Sequence, residues 1–111
     1  MKINKELLKG STQIMLLSLL SRGDMYGYQM IQELKLISGN VFELKEGTIY
    51  PLLHALEGDG AVASYWKDTS EGRRRKYYRL TDAGRLMLKD RRSEWADYVT
   101  AVNKVIGGEE I

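Results

Sequence analysis

The stretch from Gly47 to Thr81, GTIYPLLHALEGDGAVASYWKDTSEGRRRKYYRLT, restricts this chain more than any other. Ile49, Leu52, Leu53 and Leu56 recur at helical spacing and give one apolar face. Gly58 and Gly60 stop that helix. Ala61 to Lys67 and Lys76 to Leu80 are rich in β-branched and aromatic residues, as strands are. Between them Asp68-Thr-Ser-Glu-Gly72 is a turn-forming run.

A helix followed directly by a basic two-stranded hairpin is the second half of a winged helix-turn-helix. In that arrangement the helix enters the major groove and the hairpin lies against the backbone. The charge distribution agrees with this. Net charge is only +2, yet residues 61–80 hold six Lys/Arg against two Asp/Glu. Residues 1–60 hold six against seven, and residues 81–111 five against six. A local basic patch on a neutral body is a footprint for phosphate. Adjacent strand residues point to opposite faces, so Arg73 and Arg75 share one face and Arg74 and Lys76 the other. The same bases could also be a solvated edge that blocks sheet-to-sheet association.

The remaining elements follow the same rules. Lys5 to Ser21 is expected as one helix, apolar around most of its circumference toward its end. Asp24 is the expected N-cap of a helix from Tyr26 to Ser38, which Gly39-Asn40 ends. Val41 to Leu44 reads as a short bridge of β character. The next helix starts near Glu46 or Gly47, with Pro51 about one turn in. Thr81 or Asp82 caps a last helix from Ala83 to about Ile106. Leu88, Trp95 and Val102 are seven apart on it, and Tyr98 and Val105, or Val99 and Ile106, fill the interleaved positions. Such a seam on a long helix packs on a partner. Leu88, Trp95, Tyr98, Val102 and Ile106 are therefore the expected dimer interface, and Arg91 and Arg92 open the seam toward solvent or a cavity.

The expected fold is mainly α with a small antiparallel hairpin. Residues 1–81 form the winged unit, 82–106 a dimerisation helix and 107–111 a frayed tail. A chain of 111 residues without cysteine suits one domain of cytoplasmic type, with no disulfide or thiolate metal site. Met1 to Gly10 lacks the features of a signal peptide, and the apolar run Ile14 to Leu20 is too short to span a bilayer. No membrane partner and no cofactor are expected.

Several residues matter beyond the core. On the helix within Gly47–Thr81, Thr48, Tyr50 and His54 lie outward. Thr48 and Tyr50 can bond phosphate or a base edge, although the Tyr50 ring could equally pack on the first helix. Lys5 and Lys9 sit one turn apart, to touch flanking backbone or merely to solubilise. His54 is the only histidine, so a metal site is not expected.

Tyr50 and Leu53, Leu56-Glu57, Gly60 and the run Gly72 to Thr81 together resemble the PadR-like transcriptional regulators. Ser64-Tyr-Trp66 and Trp95 narrow the likeness to the small branch of the lactococcal multidrug-resistance regulator. The resemblance covers residues 5 to 106 and implies a homodimeric repressor of a near-palindromic double-stranded DNA operator. It implies Lys76 as a phosphate ligand, and it departs at His54, where the family often has Lys or Arg. It also implies a pore at the dimer centre for flat aromatic molecules, with Trp95, Gly10, Ile14 and Val99 at the matching positions. That branch has an acid where this chain has Val99, and Glu94 and Asp97 fall on other helix faces. Trp95 taken alone could instead be a dimer-core residue. A winged-helix module for protein or RNA, without a ligand, is the alternative. An enzyme finds no support: there is one histidine, no cysteine, no phosphate-cradling glycine loop and no metal spacing.

Overall fold

The computed structural model describes residues 4–8 and 10–107, and only the backbone of residues 5 and 6. Its elements are α1 (Lys5–Leu8), α2 (Thr12–Leu20), β1 (Met25–Tyr26), α3 (Gly27–Ile37), α4 (Glu46–Gly58), β2 (Val62–Asp68), β3 (Arg74–Leu80) and α5 (Asp82–Ile106). The strands form one antiparallel sheet in the order β1-β3-β2. Leu16, Leu17 and Leu20 of α2, Met30 of α3, Ile49, Leu53 and Leu56 of α4 and Val62 of β2 make the innermost core. An apolar α2 surrounded by α3, α4, α5 and the sheet is what its unbroken hydrophobic run requires.

Before α4 the structure differs from the expectation in several ways. The first helix is two helices, α1 and α2. Ser11 N–H bonds the Leu8 carbonyl at 3.1 Å, and the Thr12 hydroxyl donates to that carbonyl at 2.8 Å. The chain turns at Gly10-Ser11, and Thr12 is buried with its hydroxyl satisfied. Met25–Tyr26 is a third strand, paired to Tyr78 and Tyr77. Asp24 is therefore not the cap of α3. Tyr26 holds that position in extended conformation, and the Gln29 side chain accepts from its N–H at 3.4 Å. Asp24 instead accepts a hydrogen bond from the Tyr65 hydroxyl at 2.6 Å. Val41 to Leu44 has no strand partner and is irregular.

α4 forms as the apolar spacing demands. Pro51 forgoes one bond, to the carbonyl of exposed Gly47, and the helix runs on. It ends through Gly60 at φ +78°, where Ala61 N–H reaches back to the Leu56 carbonyl at 2.9 Å. The hairpin closes over residues 69–73 with Gly72 at φ +80°. One residue, Thr81, separates β3 from α5. Its hydroxyl accepts from Gly84 N–H at 2.9 Å and donates to the Gly60 carbonyl at 2.6 Å. Its own N–H bonds the Ala61 carbonyl at 3.1 Å. Gly84 lies so near that carbonyl that any Cβ would collide with it.

The first turns of α5 belong to the core. Leu88, expected in the seam facing a second subunit, is only 4% exposed and packs inside this chain. The reason is its height on the helix: α2 still lies alongside at that level. Arg91 donates to the Gln13 side chain at 3.1 Å and Arg92 to the Ser18 hydroxyl at 3.0 Å, so both guanidinium groups tie α5 to α2. Beyond them α5 stands clear of the core.

Candidate nucleic-acid interface

α4 divides into two faces. Ile49, Leu53 and Leu56 are buried, while Thr48, Pro51, His54 and Ala55 are exposed and Tyr50 is partly so. The Tyr50 ring lies across the start of α3, occupying the space that a Cβ on Gly27 would need. Its ring thus packs on Gly27. Burial, and then the nearby Glu46 carboxylate, raises the Tyr50 pKa. The hydroxyl at the edge of this helix is therefore a neutral group able to donate.

The sheet also divides into two faces, and register assigns them. Ser64 opposes Tyr78, Trp66 opposes Lys76, and Asp68 opposes Arg74. This is the α4 side, since the Ser64 hydroxyl donates to Glu57 of α4 at 2.6 Å. Tyr78 is buried there, its pKa raised by that burial and then by the nearness of Glu57 and Tyr50. Toward the tip the same face leaves the core. Lys76 Nζ is 5.7 Å from the Tyr78 ring centre, and the Arg74 guanidinium is 5.5 Å from that of Trp66. Arg74 also pairs with Asp68 at 3.6 Å, an exposed contact worth little. Arg75 lies on the opposite face, 4.4 Å from the Tyr26 ring centre and 3.4 Å from the Glu71 carboxylate. Arg73 is exposed just before β3. Of the four consecutive bases, Arg74 and Lys76 lie on the sheet face that adjoins α4. The Lys5 side chain and Lys9 lie outside the described residues.

A second feature lies at the other end of the molecule. Leu7, Gly10, Ile14, Arg91, Glu94, Trp95 and Tyr98 line an open cleft of about 690 Å³ between the N-terminal segment and α5. Trp95 and Tyr98 are ring neighbours, 5.8 Å between centres and tilted by 36°. Gly10, Ile14 and Trp95 therefore do come together. Val99 is half-buried and does not line the cleft, whereas Glu94, expected on another face, does. Positions 91, 94, 95 and 98 make one stripe on a helix, so adjacent Glu94 and Trp95 can border the same space. Among the described residues no three His, Cys, Asp or Glu side chains are grouped as metal ligands.

The model of the transcriptional regulator PadR-like family matches residues 16–90, from α2 into α5. The chain belongs to the PadR-like family. A transcriptional regulator from Clostridium thermocellum has the same fold, with a TM-score of 0.83 and 31% identity, over 89% of this chain and 96% of that one. A PadR family transcriptional regulator from Eggerthella lenta gives 0.78 and 33%, over 91% and 86%. The transcriptional regulator Rv3488 of Mycobacterium tuberculosis is 30% identical over 95% of this chain and 92% of its own length. The winged helix agrees with this. The PadR chain is a DNA-binding regulator, not an enzyme. Two features of its site were not read from sequence: the Gly27 seat of Tyr50, and β1, which carries Tyr26 under Arg75. Gly27 gave no signal because its partner lies 23 residues away in the chain.

Proposed function

We propose that this PadR protein is a homodimeric repressor that binds a near-palindromic operator and is released by an aromatic small molecule. The observation that carries the DNA reading is the placement of Arg74 and Lys76 on the sheet face that continues from exposed α4. α4 then presents Thr48, Tyr50 and His54 to base edges or phosphates, while the wing bases hold the backbone. Arg73 and Arg75 add charge at the tip. Two copies join along Trp95, Tyr98, Val102 and Ile106, exposed or half-buried in the single chain. Two-fold symmetry demands half-sites about one helical turn, ~34–36 Å, apart. The ligand stacks on Trp95 in the cleft beside Gly10 and Ile14, near Val99, and weakens operator binding only if it prefers the conformation with the wrong spacing. No described helix is long and apolar enough to cross a membrane. A regulator that binds its operator on DNA acts in the cytoplasm.

The test is a salt titration of duplex binding. Arg74→Ala with Lys76→Ala should weaken specific and random duplex alike. The log–log salt slope should fall by about 0.9 for each lost phosphate contact per subunit. An unchanged slope would leave these bases as a solvated edge.

A further inference from the structure

The sheet face turned away from α4 has an arrangement that the proposed α4-side contact does not use. Lys67 and Arg75 stand directly opposite each other on β2 and β3. Like charges facing across an antiparallel pair weaken the sheet. Each cation has instead turned onto a tyrosine: Lys67 Nζ is 5.2 Å from the Tyr77 ring centre, and the Arg75 guanidinium 4.4 Å from that of Tyr26. The rings form one pavement, with Tyr65 stacked on Tyr77 at 5.8 Å and Tyr26 edge-on to it at 5.4 Å. Arg79 opposes Ala63 on the same face. The nearby acids are engaged, Asp24 by the Tyr65 hydroxyl at 2.6 Å and Glu71 by Arg75 at 3.4 Å.

Two ring faces are already covered by cations, which argues against a stacking platform for unpaired bases. Cations held against flat rings have also surrendered part of their side-chain freedom. A phosphate binding there would order them at a smaller cost than it would order free surface side chains. The other face of the same two strands carries Arg74 and Lys76. A two-stranded ribbon with cations on both faces can be flanked by two phosphate backbones.

We propose that the outer face, through Lys67, Arg75 and Arg79, is a second phosphate-binding surface for duplex DNA, holding a backbone separate from the one met by Arg74 and Lys76. This rests on the DNA-binding reading above, and it commits to DNA because the charge is complementary and the surface continues the same wing. Its probe is Lys67→Gln in the full chain, an exposed substitution that leaves the core untouched. Duplex affinity is measured against salt concentration for wild type, Lys67→Gln, Lys76→Ala and the double variant, with Lys89→Gln on α5 as control. Lys67→Gln should lower the slope by about 0.9 per subunit, and the double variant should lose the sum of both single effects. Lys89→Gln should leave it unchanged. An unchanged slope in Lys67→Gln overturns the proposal. So does a double variant that loses no more than Lys76→Ala alone, because one phosphate would then serve both faces. Loss of binding to an acidic peptide with an unaltered DNA slope would assign the face to a protein and overturn it too. Failure of the DNA-binding reading itself looks different: the wild type would show no salt-dependent duplex binding at all.

Discussion

The two ends of α5 behave as different molecules. Leu88 is 4% exposed and locked among α2 and the sheet, whereas Tyr98, Val105 and Ile106 are 60%, 85% and 70% exposed. One helix, with one apolar repeat, is finished inside the chain at its start and unfinished beyond Arg92. The difference teaches that periodicity reports an apolar face but not what covers it. The change of partner occurs at Arg91 and Arg92, which grip Gln13 and Ser18 of α2.

Substitutions at the two ends should therefore separate folding from assembly. The largest effect is expected in the core that the finished end of α5 joins. Leu53→Ala removes a fully buried side chain and should cost ~2–5 kcal/mol in denaturant unfolding, through lost burial plus a residual cavity. A loss well under that range would mean that the core is looser than the buried positions indicate. Gly84→Ala comes next. Its methyl group would strike the Ala61 carbonyl, and relief requires α5 to move away from the α4–β2 turn. We expect a loss of about 1–3 kcal/mol, in line with overpacking elsewhere, read as a lower thermal midpoint. The smallest effect on the fold of the single chain belongs to the unfinished end. Trp95→Ala should leave the far-ultraviolet circular dichroism spectrum and DNA binding in place. It should abolish the quenching of tryptophan fluorescence by a planar aromatic ligand, with Trp66 the only other source of signal. Should the variant sediment as monomers, Trp95 is a dimer-core residue, and the comparison sharpens into assembly rather than ligand binding.

The same contrast explains what could be read from sequence. Ile49, Leu53 and Leu56 were legible because an amphipathic helix declares its buried face within its own residues. The wing was legible because β-branched and aromatic runs flank a turn-forming segment. Neither β1 nor the break before α2 was among the expected elements. Two residues show no alternation, and Met25–Tyr26 becomes a strand only because β3 is there to pair with it. The turn at Gly10-Ser11, held by bonds to the Leu8 carbonyl, had a signal in Gly10-Ser11-Thr12, which the helical spacing on either side overrode. Asp24 looked like a cap by residue type, yet its partner, Tyr65, lies 41 residues on. The face assignment of Arg74 and Lys76 followed from strand alternation alone. Which of the two faces adjoins α4 did not, since that depends on Ser64 meeting Glu57.

The junction at Thr81 has a mechanical consequence. A single residue, Thr81, bonded to the Gly60 and Ala61 carbonyls, with Gly84 set close against the Ala61 carbonyl, joins α5 to the end of α4 without slack. There is no hinge at which the long helix could swing independently. α5 is then a lever of 25 residues, about 37 Å at 1.5 Å per residue, rigidly fixed to the body that carries α4. A swing of about 5° about the fixed end displaces the far end by roughly 3 Å on that length. Read in reverse, a displacement of that order at the far end, where two copies would meet, turns the whole wing and helix through the same angle.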